Sequence, residues 1–436
     1  EASTAQRVAH HADAALRLAM RGLETVRDEK DRHALTCLKG ELLRDLGDIP
    51  GSIATYREAV AAAADEVSLC RAQLGLAEGL RVSEGLAEAS ELIEAAQKNA
   101  ERHDLVPELA RIHHLRGNIL FPLGEIDGCR EQHERGLDYA RRSGSPEAEA
   151  RALGGLADAA YAQGRMLTAF ENFTRCVELS REHGFGRIEV ANRSMVGFSR
   201  VYLNEPRAAY ADGMAAARAA ALVSQPRAEM LGETMCAMAC YELGEYDAMT
   251  LFLERTNKLA RHLGARRFEA QSVEMHGRLL LDTGHRSEAA AILRDAVAIC
   301  REIGMQFSGP KALGALSRAV EDRTECNRFL AEGEELLRRG SVGHNHLWFY
   351  RDAIEAMLAI GDGASGLRYV AALESYTLRE PLPWSQLFAD RGRAMVDALQ
   401  GGVDAAVRDE LERVRDALLT AELKAFLPLV EATLAA

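Results

Sequence analysis

"TGHRSEAAAILRDAV" occupies residues 283–297, and "LGDIPGSIATYREAV" occupies residues 46–60. Each opens on a turn glycine (Gly284, Gly47), follows it with a small residue (Ala289, Ser52), and closes on a second small residue (Ala296, Ala59). The turn returns as "LGEI" at 123–126, "QGRM" at 163–166 and "LGEY" at 243–246, with Asn204 in the slot between. Asparagine is the next choice after glycine for a left-handed helix end. A second set of glycines, Gly144, Gly184, Gly264 and Gly304, keeps the same forty-residue step, with Ser224 in the vacant place. Gly85 falls near a missing turn slot, inside a shorter repeat. Two punctuation marks per forty residues describe a helix pair: helix, tight turn, helix, exit glycine.

Between the marks, one column reads Ser52, Ala89, Cys129, Ala169, Ala209, Met249, Ala289. Seven positions on, a second reads Ala59, Ala96, Gly136, Cys176, Ala216, Thr256, Ala296. Seven residues is about two helical turns, so both columns share one face. Small side chains there predict close helix–helix approach, with Tyr56, Ile93, Phe173, Leu253 and Leu293 as the larger knobs between them. The expected fold class is all-α, an elongated solenoid of about ten helix pairs.

Composition narrows the function. Asp and Glu number 66 against 53 Lys and Arg, a formal charge of −13, which argues against nucleic acid because phosphate binding needs a basic face. Apolar residues make up 47%, enough for a continuous core, and aromatics only 6%. Eight cysteines are scattered without any CxxC pair, which suits buried thiols in a reducing, cytoplasmic setting. No apolar run reaches the length of a membrane span. The start lacks a secretion signal and an initiator Met. Ala12, Leu16 and Ala19 match the face of a second helix, so the chain is expected to begin mid-repeat as a fragment of something longer, or else on a dedicated capping helix.

Signatures of catalysis are weak. "GDGASG" (361–366) matches GxGxxG by letter, but a helical pattern precedes it where a dinucleotide site needs a strand. The doublets His10-His11 and His113-His114 point apart on a helix, "GSVGHN" (340–345) reads as a loop, and His344 and His346 read as solvated loop histidines. Cys236 and Cys240 sit among methionines and read as core. No GxxxxGK[ST], HExxH or GxSxG is present, so no catalytic, cofactor or metal residue is assigned. Past Pro310 the period degrades: regular repeats span 1–309, a degenerate helix pair and loop 310–345, and C-terminal repeats with capping helices 346–436. Both tryptophans, Trp348 and Trp384, fall in that last part with Phe349, Tyr350, Tyr369, Tyr376 and Phe388, read as a terminal core or a second docking face.

On its turn glycine, small residue and final alanine the chain resembles the tetratricopeptide repeat (TPR) family, in a forty-residue version of the usual 34-residue unit. The resemblance implies a right-handed solenoid whose first helices line a concave groove for a protein or peptide. Placed by register, the inward positions are Arg71, Arg111 and Arg151 in one column, with Glu78, Arg81, His114, Asn118, Asp158 and Tyr161 beside them, and Tyr241, Gln271, Glu274 and Arg278 further along. An arginine ladder suits an acidic peptide; the alternative is pairing with carboxylates of neighbouring helices. The "LARxxG" helix ends and "REPLPWSQLFADRGRAMVDAL" (379–399) are similar to the C-terminal regulatory regions of bacterial signal-transducing ATPases and ATPase-linked nucleotidyl (adenylate or guanylate) cyclases. That likeness implies a ligand-sensing arm with an ATPase or cyclase domain in cis. A helical-toroid enzyme is a third reading. The primary expectation is a non-catalytic scaffold that binds through its groove.

Overall fold

The computed structural model describes residues 12–83, 85–222 and 225–436. Those residues hold 22 α-helices and two short 3-10 turns, and helices adjacent in sequence pack together, as Glu66–Val82 does on Leu86–Arg102 and Arg266–Asp282 on Arg286–Ile303. His10-His11 and Ser224 lie outside the described residues. In the regular part, 17-residue helices such as Ile126–Arg142, Pro146–Ala162 and Met166–Glu182 are joined by three-residue turns, which sets the forty-residue period.

The punctuation works as backbone geometry. Gly124, Gly164, Gly244 and Gly284 have φ of +80°, +78°, +70° and +88°, and Asn204 has +61°. The exit glycines Gly144, Gly184, Gly264 and Gly304 are also left-handed. Asp104, forty residues before Gly144, takes the same conformation at φ +50°, a slot that composition alone concealed. Gly85 departs from the pattern: its φ is −77° and it forms the N-cap of helix Leu86–Arg102.

Both small-residue columns are buried throughout, with Ser52, Ala89, Cys129, Ala169, Ala209, Met249 and Ala289 all fully inaccessible. The knobs fit between glycines. The Tyr56 ring lies between Gly40 and Gly75, and a Cβ at Gly40 would come within 2.8 Å of it. His133 lies in the same way between Gly117 and Gly155. Repeats therefore interlock by placing a second-helix side chain where two first helices have no side chain.

The described residues form two compact units: residues up to Ala159 with Arg175–Glu189, and Ala160–Thr174 with Val190–Ala436. In the first unit the first helices of the repeats are Glu29–Asp45, Glu66–Val82, Val106–Leu120 and most of Pro146–Ala162. In the second unit the chain folds back on itself. Trp348 Nε1 donates to the Tyr202 hydroxyl at 3.0 Å, and Phe426 meets Tyr241 edge-on at 6.1 Å. Trp348, Trp384, Phe349 and Phe388 are essentially inaccessible, so the aromatic cluster is a core. Glu380 accepts from the backbone N–H of Leu167 at 2.8 Å and Thr168 at 3.2 Å, across more than two hundred residues of chain.

The stretch 340–345 differs from its reading as a solvated loop. Helix His344–Ala359 already begins there, and His344 is buried with Nε2 2.8 Å from the Phe307 carbonyl. His346 stacks on Tyr376 at 4.1 Å. Burial holds both imidazoles neutral, pushed down to about 3 and about 4, Lys311 adding to the effect at His344. Aromatic packing with long-range partners, invisible to local sequence, draws the two rings inward.

Candidate functional site

The first helices of the first unit carry a polar set of side chains. Residues seven apart on its first helices stack by two turns, pairing Arg71 with Glu78, Arg111 with Asn118, and Arg151 with Asp158. The columns thus lie on consecutive helices, held in register by the glycine-socket packing behind them. Arg71 is exposed and the others are half-buried.

Each ladder arginine has a carboxylate partner. Arg71 Nε reaches Glu108 at 2.7 Å, Arg111 Nη2 reaches Glu78 at 3.4 Å, and Arg151 Nη2 reaches Glu147 of its own helix at 2.8 Å. Pairs this exposed contribute little, about 0–1 kcal/mol. Glu78 is shared, since Arg44 also pairs with it. Burial pushes the Glu78 carboxyl up, but Arg44, Arg111 and Arg151 outweigh that and hold it well below the ordinary range. Arg44 was not among the residues singled out by the forty-residue register. The 37-residue step that carries Ser52 to Ala89 also carries Arg44 to Arg81, and this is the signal that would have found it.

Two groups on this face make no ion pair among the described residues. Arg81 is half-buried, makes no ion pair among the described residues, and its Nε has no hydrogen-bond partner. Burial lowers its pKa, with Glu78 opposing and Arg44 adding. Asp158 is half-buried without an ion-pair partner among the described residues, and burial raises its carboxyl to about 7. Between them lie His114 and Asn118, linked Nε2 to Nδ2 at 2.9 Å, with His114 Nδ1 unpartnered. Burial, reinforced by His133 and Arg151, keeps His114 neutral. The set comprises a guanidinium with an unbonded Nε, one protonatable carboxyl and an amide–imidazole pair. Among the described residues no group of three metal-type ligands converges.

The remaining expected groove residues lie in the second unit and are mostly consumed by its core. Tyr241 is fully buried and its ring centroid is 6.0 Å from that of Trp348. Arg278 and Glu274 are fully buried and paired with each other. Arg278 also donates to both carboxylate oxygens of Asp352, at 2.9 and 2.5 Å. Lys311 reaches Glu274 at 3.1 Å, and Arg318 joins Asp352 at 3.5 Å to Asp282 at 2.8 Å. Burial pushes the Asp352 carboxyl up, but Arg278, Arg351 and Arg318 outweigh it and hold it ionised. Tyr161 is half-buried, its ring 5.8 Å from His344, and Gln271 is half-exposed. Helices from the C-terminal part of the chain cover these residues, as Trp348 does Tyr241 and Asp352 does Arg278.

"GDGASG" closes a helix and opens the next: Gly361 is left-handed at φ +74°, and Asp362 caps helix Gly363–Thr377 by accepting from Ser365 N at 3.1 Å. The eight cysteines are free thiols, all but Cys37 buried. No described helix is long and apolar enough to cross a membrane.

Among solved structures, the apo form of RapI is similar at a TM-score of 0.51 and 13% identity, covering 62% of this chain and 98% of that one. The Rap conjugation gene regulator of plasmid pLS20, solved in complex with the Phr* peptide, is similar at 0.51 and 11% identity, covering 77% and 96%. These likenesses establish a shared fold. No curated protein matches the sequence. A family profile described as the MalT-like TPR region matches residues 2–308, about seven-tenths of the chain. With its left-handed turn glycines, interlocked repeats and sequentially packed helix pairs, the chain belongs to the family of the MalT-like TPR region.

Proposed function

We propose that this chain is a non-catalytic binding module whose working surface is the inner face of the first unit, and that its ligand is a peptide or protein segment carrying a carboxylate. The observation that carries this reading is Arg81, a half-buried guanidinium that makes no ion pair among the described residues and whose Nε is unbonded, beside Arg44 and Arg111, which share Glu78. An unpaired buried cation is costly, and a ligand carboxylate taking that place gains a charge-assisted, bidentate contact. Asp158 and the His114–Asn118 pair supply the acceptors and donors that a peptide backbone needs. Elsewhere on this fold, the Rap conjugation gene regulator is seen in complex with a peptide.

The test is a selection from a short random-peptide library on the purified chain. Enrichment of Asp and Glu in the selected peptides, with affinity falling steeply as salt rises, supports the proposal. Selection of basic or purely apolar peptides would sink it.

Membership of the MalT-like TPR family favours a second, compatible reading: the module is the ligand-sensing arm of a larger bacterial signalling ATPase or nucleotidyl cyclase. The mass of the endogenous protein decides this. A product no larger than this chain would rule out a domain in cis.

A further inference from the structure

The second unit contains a cavity of about 760 Å³, walled by helices Arg266–Asp282, Arg286–Ile303, Gly309–Ala319, His344–Ala359, Pro383–Gly401, Ala405–Thr420 and Leu427–Ala435. Its volume is in the range of small-molecule sites, roughly 300–1,000 Å³. It lies beyond the surface proposed for peptides, and nothing above assigns it a role.

The lining is amphipathic. Leu281, Leu358 and Met395 form the apolar wall, and Leu399 and Leu429, 47% and 43% exposed, add large apolar side chains that face solvent. The charged groups are unbalanced. Asp282 is neutralised by Arg318 at 2.8 Å, and Glu355 by Arg391. Arg286 is half-buried and makes no ion pair among the described residues. Arg408 makes none either, and donates only to the Leu434 carbonyl at 3.0 Å. Both carboxylate side chains of the lining are therefore paired while two guanidiniums make no ion pair among the described residues, and these side chains favour an anion. From this the structure assigns a second site: a pocket for a small amphipathic carboxylate, its head on Arg286 and Arg408, its apolar tail over Leu281, Leu358 and Met395. Such a ligand touches both repeat helices and the C-terminal helices that close over them, so its binding tightens that closure.

Calorimetric titration of the full chain with octanoate, octanol and octylammonium, below their aggregation limits, tests the assignment. Octanoate is expected to bind and to raise Tm, because a ligand of the native state alone stabilises it by mass action. Arg286→Gln removes a side chain with no ion-pair partner, so its unliganded Tm should match that of the parent while octanoate affinity falls about tenfold, the size of a lost charge-assisted bond. Leu399→Asp, at an exposed position, should weaken octanoate similarly. No octanoate binding, equal binding of octylammonium, or undiminished affinity in Arg286→Gln would each overturn the proposal.

Discussion

Asp158 shows how a single residue reports on the groove. Burial without a cation raises its carboxyl to about 7, so the native state holds this proton more tightly than the unfolded chain does. Stability from this group is complete below the ordinary aspartate range, about pH 4, and is lost as pH rises through 7. Urea unfolding of Asp158→Asn should match the parent at pH 4 and exceed it at pH 8; an identical pH slope in both proteins would refute the assignment. Arg278 is the opposite case. It is fully buried between Glu274 and Asp352, and Arg278→Met leaves their charges short of a partner. A loss of about 3–5 kcal/mol is expected, visible as a large drop in Tm. The forty-residue register assigned each residue a helix position. It did not reveal what covers Arg278, because Asp352 lies far along the chain.

At the scale of the helix pair, the repeat was nearly all legible. From Gly124 onward a forty-residue step places the left-handed turns and the two small columns, and among the described residues they are where the register puts them. Asp104 and Gly85 were not legible, since one lacks the glycine signal and the other carries it without the conformation. The glycine sockets yield a prediction of their own. A methyl group at Gly75 would run into the Tyr56 ring, which Gly40 already confines from the other side. Gly75→Ala should cost about 1–3 kcal/mol through overpacking. Adding Tyr56→Leu should recover part of that loss in a double-mutant cycle, and strict additivity would argue against the socket.

On the scale of the whole molecule, the two units use the same repeat differently. The first keeps a polar set of side chains on its first helices, whereas the second buries Trp348, Trp384, Phe388 and an ion network. The second unit's closure is held in part by Glu380, whose carboxylate caps the first turn of helix Met166–Glu182. Loss of such a cap costs about 1 kcal/mol. In Glu380→Ala, hydrogen exchange at the Leu167 and Thr168 amides should accelerate several-fold while exchange in helix Glu66–Val82 stays unchanged. The central claim is that Arg81, without an ion pair among the described residues, draws an acidic ligand to the first unit. Its most direct measurement is the Kd of a library-selected acidic peptide for the parent chain and for Arg81→Glu, with matching circular dichroism as the check on folding. The account predicts at least about tenfold weaker binding in the variant, the worth of one charge-assisted contact; an unchanged Kd would contradict it.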